Sequence, residues 1–289
     1  MKPAEQQTVD RIEAPIGVFD SGVGGLSVLA ALRRELPSEH FIYLGDTARL
    51  PYGTKSGDTV VRYALQAAQL LRARQIKALV VACNTASAVA LPALRRRLPG
   101  LPILGVVEPG AAAAVAASRN GCIAVIGTEG TVRGGAYQRA ITTLRPDAVV
   151  LAAACQLFVS LAEEGWTEGP IVAASARRYL DPLFASGADL SPDVLVLGCT
   201  HFPALAATLQ RVVGADVALV DSARTTAAAL RVELSRLNLL RTGAGGRLRL
   251  CATDGAERFA RVGPIFLGEA IDAAAVQLVD LGVAQDSSE

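Results

Sequence analysis

The chain has 289 residues, 51% of them hydrophobic, and its 28 basic and 27 acidic side chains leave a net charge of +1. That length suits two α/β domains or one large one with a full core. The balanced charge lacks the basic footprint of a nucleic-acid binder, and no apolar run reaches the roughly 18 residues of a membrane span. Met1–Glu13 is polar and charged, which predicts a solvated arm rather than a secretion signal. The five cysteines (Cys83, Cys122, Cys155, Cys199 and Cys251) are widely spaced and form no CxxC pair, as expected for reduced thiols in a cytoplasmic protein. With only two histidines, and Cys199 alone near His201, no metal site is expected.

Taken in order, Ile16–Phe19 predicts a short strand that breaks at the glycine-rich turn Asp20-Ser21-Gly22-Val23-Gly24-Gly25. Leu26–Leu36 carries helical periodicity and stops before Pro37. A strand over Phe41–Leu44 follows, then the turn-rich loop Leu50–Ser56, a helix from about Asp58 to Arg74, and the apolar run Ala78–Ala82 ending in Cys83-Asn84-Thr85. A helix over Ala86–Arg97 and a strand over Ile103–Val106 close the first hundred residues. The cations Arg95-Arg96-Arg97 suit that helix's C-terminus.

The pattern restarts near Glu108-Pro109-Gly110. It runs through an Ala-rich helix, the strand Ile123–Ile126 with its turn Gly127–Thr131, a strand over Ala148–Ala152, and a helix bearing Glu163 and Glu164. A helix over Ile171–Ser186 precedes a second cysteine strand, Asp193–Gly198, ending in Cys199-Thr200-His201. The two halves share an order, a weak internal duplication legible in pattern rather than identity. The remainder predicts a helix over Thr225–Leu237, a strand over Arg247–Thr253 and a final helix over Glu269–Leu281, with a solvated end at Asp286–Glu289. Strands alternating with helices imply parallel sheets with right-handed crossovers. The last segment is expected to complete the sheet of the first half.

The repeated stretch carries the chemistry. In each copy a buried-strand pattern stops at a small residue, then a cysteine, then hydrogen-bonding side chains, at the strand end where open α/β sheets place their ligands. A buried structural cysteine is the commonest fate of a free Cys. A matched pair followed by Asn84 and Thr85 in one copy, and by Thr200 and His201 in the other, favours one site with a thiol on each side. A cysteine just before a helix is expected to have its thiol pKa lowered toward neutrality. Asp20-Ser21 at a strand end is a second candidate; an N-capping turn is the plainer reading. Gly22–Ser27 approaches a dinucleotide fingerprint, but Ser27 replaces its last glycine and Asp20 puts negative charge where a pyrophosphate would lie. His201, two positions after a candidate thiol, suits an acid–base role, whereas Glu163 beside Glu164 is a pattern that most often marks a solvated face. Lysine is scarce (Lys2, Lys55 and Lys77), and none is placed for a Schiff base with pyridoxal phosphate, so no cofactor is expected.

These motifs resemble the glutamate racemases of the cofactor-independent aspartate/glutamate racemase superfamily. The resemblance rests on Gly17–Leu26, Tyr43–Thr47, Pro51-Tyr52-Gly53, Cys83–Ala86, Gly105–Pro109, Gly127–Thr131 and Gly198–Pro203, and covers about residues 14 to 222. It implies two pseudo-symmetric α/β domains, with mainly parallel sheets flanked by helices and the active site in the cleft. The boundaries expected are 14–107 plus 222–289 for the first domain and 108–221 for the second. It implies interconversion of L- and D-glutamate, supplying D-glutamate for peptidoglycan, and a homodimer, since members are often dimers. Cys83 and Cys199 correspond to the catalytic thiols, with Asp20, His201 and Glu163 assisting. Asp20, Ser21, Tyr52, Gly53, Asn84, Thr85, Thr200 and His201 fall on substrate-binding positions, with Thr131 as an addition. Around Cys155 the family usually carries prolines where this chain has Gln156 and Ser160.

The expected activity is therefore two-base racemisation of glutamate. The rivals are an aspartate or hydantoin racemase of the same superfamily and a non-catalytic small-molecule binder on the same fold. A binder would need neither cysteine.

Overall fold

The computed structural model describes residues 10–184 and 191–282. Among these residues ten strands form two sheets, and every pairing is parallel. They are β1 (Ile16–Asp20), β2 (Phe41–Gly45), β3 (Ala78–Val81), β4 (Ile103–Gly105), β5 (Cys122–Gly127), β6 (Val149–Ala154), β7 (Val194–Gly198), β8 (Ala218–Asp221), β9 (Leu248–Ala252) and β10 (Val276–Leu278). The first sheet has the order β10-β9-β2-β1-β3-β4 and the second β6-β5-β7-β8. The run β2-β1-β3-β4 is thus repeated as β6-β5-β7-β8, which is the duplication at the level of topology.

Both faces of each sheet are covered, so successive residues of a strand enter different cores. Val18, Tyr43 and Val80 pack on one side of the first sheet, and Phe19, Leu44 and Val81 on the other. Ile123, Val125 and Val196 face one side of the second sheet, and Ala124, Ile126 and Leu197 the other. This two-sided burial explains why the strands read as continuous apolar runs without alternation. Each fully buried Leu, Ile or Val contributes about 1.5–3 kcal/mol.

The helices follow local signals. Gly57–Ala73 is capped by Ser56, which accepts from the Thr59 amide. The helix Ser222–Arg236 starts earlier than the sequence pattern suggested because Asp221 caps it, accepting from the Ala223 amide at 2.8 Å. The helix expected over Ala86–Arg97 is two, Asn84–Val89 and Leu91–Arg97, because Pro92 can begin a helix but not continue one. The helix expected to run to Ser186 is Pro170–Leu180; residues 185 and 186 lie outside the described residues.

The largest correction is at the C-terminus. Glu269–Leu281 is not a helix. Helices Ala256–Val262 and Pro264–Leu267 come first and end at Gly268, whose φ of +80° is left-handed. Asp272 then caps a 3-10 turn over Ala273–Ala275, and β10 pairs with β9 through Val276 and Leu250. The Ala-Ala-Ala run carries helix propensity, but an edge strand gains ladder hydrogen bonds that propensity does not count. Residues 10–13, expected as part of a solvated arm, are helical. Most of that arm and Asp286–Glu289 lie outside the described residues.

Lys77 precedes β3, at the N-terminal end of the sheet. There it donates to the carbonyls of Ile12 (2.7 Å) and Leu239 (2.8 Å) and pairs with Glu39 (2.5 Å). It is a buried structural cation at the end of the strand opposite Cys83.

Candidate active site

In a parallel sheet, ligands collect at the C-terminal strand ends where the order of connection reverses, because the crossover helices there diverge. In the first sheet that point lies between β1 and β3, which end at Asp20-Ser21 and Ala82-Cys83. In the second it lies between β5 and β7, which end at Gly127-Thr128 and Gly198-Cys199. The two points share one small cavity of about 30 Å³. Ser21, Tyr52, Gly53, Cys83, Asn84 and Thr85 line it from one lobe, and Thr128, Gln156, Cys199, Thr200 and His201 from the other. That space holds about one water molecule.

Contacts across the cleft are close. Thr85 and Thr128 share a hydroxyl hydrogen bond of 2.9 Å, Tyr137 donates to Asn84 Oδ1 at 2.8 Å, and Ser27 donates to the Thr200 carbonyl at 3.0 Å. Two glycines permit the approach. A β-carbon at Gly24 would run into His201 Nδ1 and Thr200 Oγ1, and one at Gly53 would lie 2.6 Å from Thr128 Cβ. Gly24→Ala is expected to cost about 1–3 kcal/mol by overpacking. By displacing His201 it should also lower turnover more than the stability loss accounts for, which paired kcat and Tm measurements check.

The two thiols have different surroundings. Cys83 caps the six-residue helix Asn84–Val89, accepting from the Ala86 amide at 3.5 Å, and lies 3.6 Å from Ser21 Oγ. Contrary to the expectation of a lowered pKa, burial and the Asp20 carboxylate push this thiol up to about 12. A helix of six residues does not offset desolvation beside a carboxylate. Asp20 is itself fully buried. Burial pushes its pKa up against the pull of His201 and of the nearby backbone amides.

Cys199 faces an imidazole instead of a carboxylate. His201 Nδ1 lies 3.8 Å from Cys199 Sγ and 3.4 Å from Thr200 Oγ1, while Nε2 donates to Glu163 Oε1 at 3.0 Å. Burial acts to lower the His201 pKa, but the hydrogen bonds to Cys199 and Glu163 override it and carry it to about 10. Burial acts to raise Glu163, and the hydrogen bonds from His201 and Arg258 hold it near 2. Around neutral pH the pair is therefore imidazolium and carboxylate. Glu164, half of the paired-acid pattern, is not in this network.

Ser21, Tyr52, Gly53, Cys83, Asn84, Thr85, Cys199, Thr200 and His201 all line the cavity. Asp20, Glu163 and Thr131 stand behind it: Thr131 touches Thr85 (3.3 Å) and Thr128 (3.1 Å). Tyr52 is held by its hydrogen bond to the buried Asp46. Sequence reasoning missed Thr128, Gln156 and Val159 on the wall, and Arg258 and Phe266 behind His201. Thr128 was accessible as the polar residue at the end of a strand; the others carry no local signal. Two buried polar atoms of the wall, Asn84 Nδ2 and Gln156 Oε1, and Asp20 Oδ1 behind it have no hydrogen-bond partner. Such atoms cost about 1–3 kcal/mol each until a ligand satisfies them. The two wall residues offer a ligand one donor and one acceptor. Cys122, Cys155 and Cys251 are buried and do not line the cavity, although Cys155 lies in the same core cluster as Cys199.

One thiol from each switch point lies on a single cavity whose walls carry both donors and acceptors. The chain belongs to the Asp/Glu/Hydantoin racemase family, whose profile matches residues 16–230. Within that family it is similar to glutamate racemases. The one from Geobacter metallireducens is 51% identical over 254 residues, covering 88% of this chain and 92% of the relative. Among solved structures, a glutamate racemase isoform of Bacillus anthracis superposes with a TM-score of 0.87 at 36% identity, covering 93% of this chain and 98% of that one. The Francisella tularensis glutamate racemase in complex with D-glutamate gives 0.86 at 35%, with the same coverage. Among the described residues no helix is long and apolar enough to cross a membrane, and no cluster of ligating side chains could hold a metal ion.

Proposed function

We propose that this chain interconverts L- and D-glutamate by a two-base mechanism, with Cys83 and Cys199 acting on opposite faces of the α-carbon. The observation that carries the reading is the placement of one thiol from each lobe on a single cavity. One thiolate removes the α-proton while the opposite thiol delivers its own to the other face of the planar carbanion. Placement on rigid strand ends supplies the orientation that makes such transfer fast. Asn84 Nδ2, Thr85, Thr128 and Thr200 are donors for the substrate's carboxylates. Donors near the α-carboxylate stabilise the charge that builds there in the transition state. Asp20 and His201 each attend one thiol, and Glu163 supports His201. The chemistry needs no electron sink from a cofactor if the thiols and these donors carry it. Of the two described lysines, Lys77 is committed to the far end of the sheet and Lys55 follows the Tyr52–Thr54 turn without lining the cavity.

The same proposal includes D-glutamate supply for peptidoglycan, a cytoplasmic location consistent with five reduced thiols, and a homodimer to be read by sedimentation. It also includes a division into 14–107 plus 222–289 and 108–221, which the return of β9 and β10 to the first sheet supports.

Solvent exchange tests the two-base arrangement. With L-glutamate in D₂O at early conversion, the D-glutamate formed should carry solvent deuterium almost completely, while unreacted L-glutamate gains little. Starting from D-glutamate should give the mirror result. Substantial original protium in the first product would indicate a single base that swings between faces. Turnover of aspartate at a rate comparable to glutamate would return the rival specificity.

A further inference from the structure

Arg258 lies in the helix Ala256–Val262, in a C-terminal segment that carries no chemical motif. Its Nη2 donates to Glu163 Oε2 at 2.8 Å, while Glu163 Oε1 accepts from His201 Nε2 at 3.0 Å. Each carboxylate oxygen of Glu163 therefore has its own donor, and the two donors come from opposite lobes. The far side of the imidazole, Nδ1, faces Cys199 Sγ. The ring of Phe266, from the short helix that follows Arg258, stands edge-on to the imidazole, with centroids 5.0 Å apart at 75°.

We propose that Arg258 is a positioning residue for the reaction: it clamps Glu163 across the cleft so that Glu163 holds the His201 ring in line with Cys199. The role assigned to Cys199 rests on the racemase reading; the clamp on His201 does not. A guanidinium suits the task because its planar fork fixes the direction of each donor. The Arg258 side chain is 44% exposed, so solvent screens its attraction and little stability is expected from the pair itself. Glu163, at 11% exposed, has much less freedom to recruit water if the arginine is lost. The charged and titratable groups facing this pair are few. His201 meets Cys199, Glu163 and the field of Asp20, and Glu163 meets His201 and Arg258. Losing Arg258 therefore leaves the carboxylate held on one side only and free to turn, and the imidazole turns with it. Arg258 lowers the Glu163 pKa, so its removal raises that pKa and Glu163 loses its charge at a higher pH.

The test uses the full-length protein with Arg258→Gln and Arg258→Lys. The chain has two histidines, so the imidazole nitrogens give two sets of NMR signals. His40, whose Nδ1 accepts from the Arg247 amide at 2.9 Å at the other end of the sheet, serves as an internal reference. In Arg258→Gln the Nε2 proton of His201 should move upfield and exchange faster while the His40 signals stay in place. The kcat should fall about 10- to 10²-fold, as expected for a misplaced catalytic group, with KM changed less. The acid limb of the kcat profile should move up by about one pH unit. Because the equilibrium constant of a racemisation is unity, kcat/KM must fall equally in both directions. Arg258→Lys should restore part of each effect. An Arg258→Gln protein with an unaltered His201 proton, acid limb and kcat would overturn the proposal, as would a change in Tm with none of these. If the wild-type protein does not turn over glutamate, the racemase reading fails, and the His201 signal still decides the clamp.

Discussion

Cys83→Ser and Cys199→Ser are each expected to remove most racemisation in both directions, by about 10²–10⁴-fold or more in kcat/KM. A thiol at its free pKa of about 8.5 is a few per cent ionised at pH 7, and an alcohol is a far weaker acid that cannot supply the anionic base. Both directions must suffer because a thiol that is the base in one direction is the acid in the other. The two variants should nevertheless differ in character. Cys83, held up near 12 by burial and Asp20, rests as the proton-bearing partner. Its serine replacement keeps a proton to donate but loses the route to an anion. Cys199→Ser leaves an oxygen beside the His201 imidazolium. Initial rates from both enantiomers, with proteins shown to be folded by circular dichroism, check this. A single Cys→Ser variant with wild-type turnover would show that the repeated strand-Cys motif is not the base pair.

His201→Asn and Asp20→Asn are expected to fold normally and lose about 10²–10⁴-fold in turnover, as for removal of an assisting acid or base. The pH profiles separate the two. His201 carries its proton below about 10, so wild-type kcat should have a basic limb near that value, and His201→Asn should lack it. The same shift appears in stability. The folded-state pKa lies above the unfolded value of about 6.5, so the stabilisation is fully present below 6.5 and is lost as pH rises from there to about 10. Asp20→Asn removes the carboxylate that helps hold the Cys83 thiol up, and should let that thiol ionise at a lower pH. Alkylation of Cys83 followed against pH reads this directly. Near-wild-type rates in both variants would return Asp20 and His201 to capping and packing roles.

The sequence by itself determined the parts that follow from local pattern. Continuous apolar runs such as Ala78–Ala82 and Asp193–Gly198 read as doubly covered parallel strands, and a parallel strand has one end where ligands gather. Cys83, Cys199 and their polar followers were therefore legible as a candidate site before any contact was known, as was Asp20-Ser21, whereas Tyr52-Gly53 entered only through the family resemblance. Only the tertiary structure decided the rest, because those features depend on groups distant in sequence. Cys83 was expected to have a lowered thiol pKa from its place before a helix, but the surrounding lobes desolvate it and bring Asp20 beside it, and both effects outweigh six residues of helix. Gln156 and Thr128 joined the wall only when the second lobe closed on the first. The Ala273–Ala275 run promised a helix and instead leads into a strand, because pairing with β9 is a contact that local propensity does not contain. Arg258 is 95 residues from Glu163 in the chain. No periodicity or motif joins them. They meet because β9 and β10 carry the C-terminal segment back to the first sheet and so place a guanidinium at the cleft beside the carboxylate that holds His201.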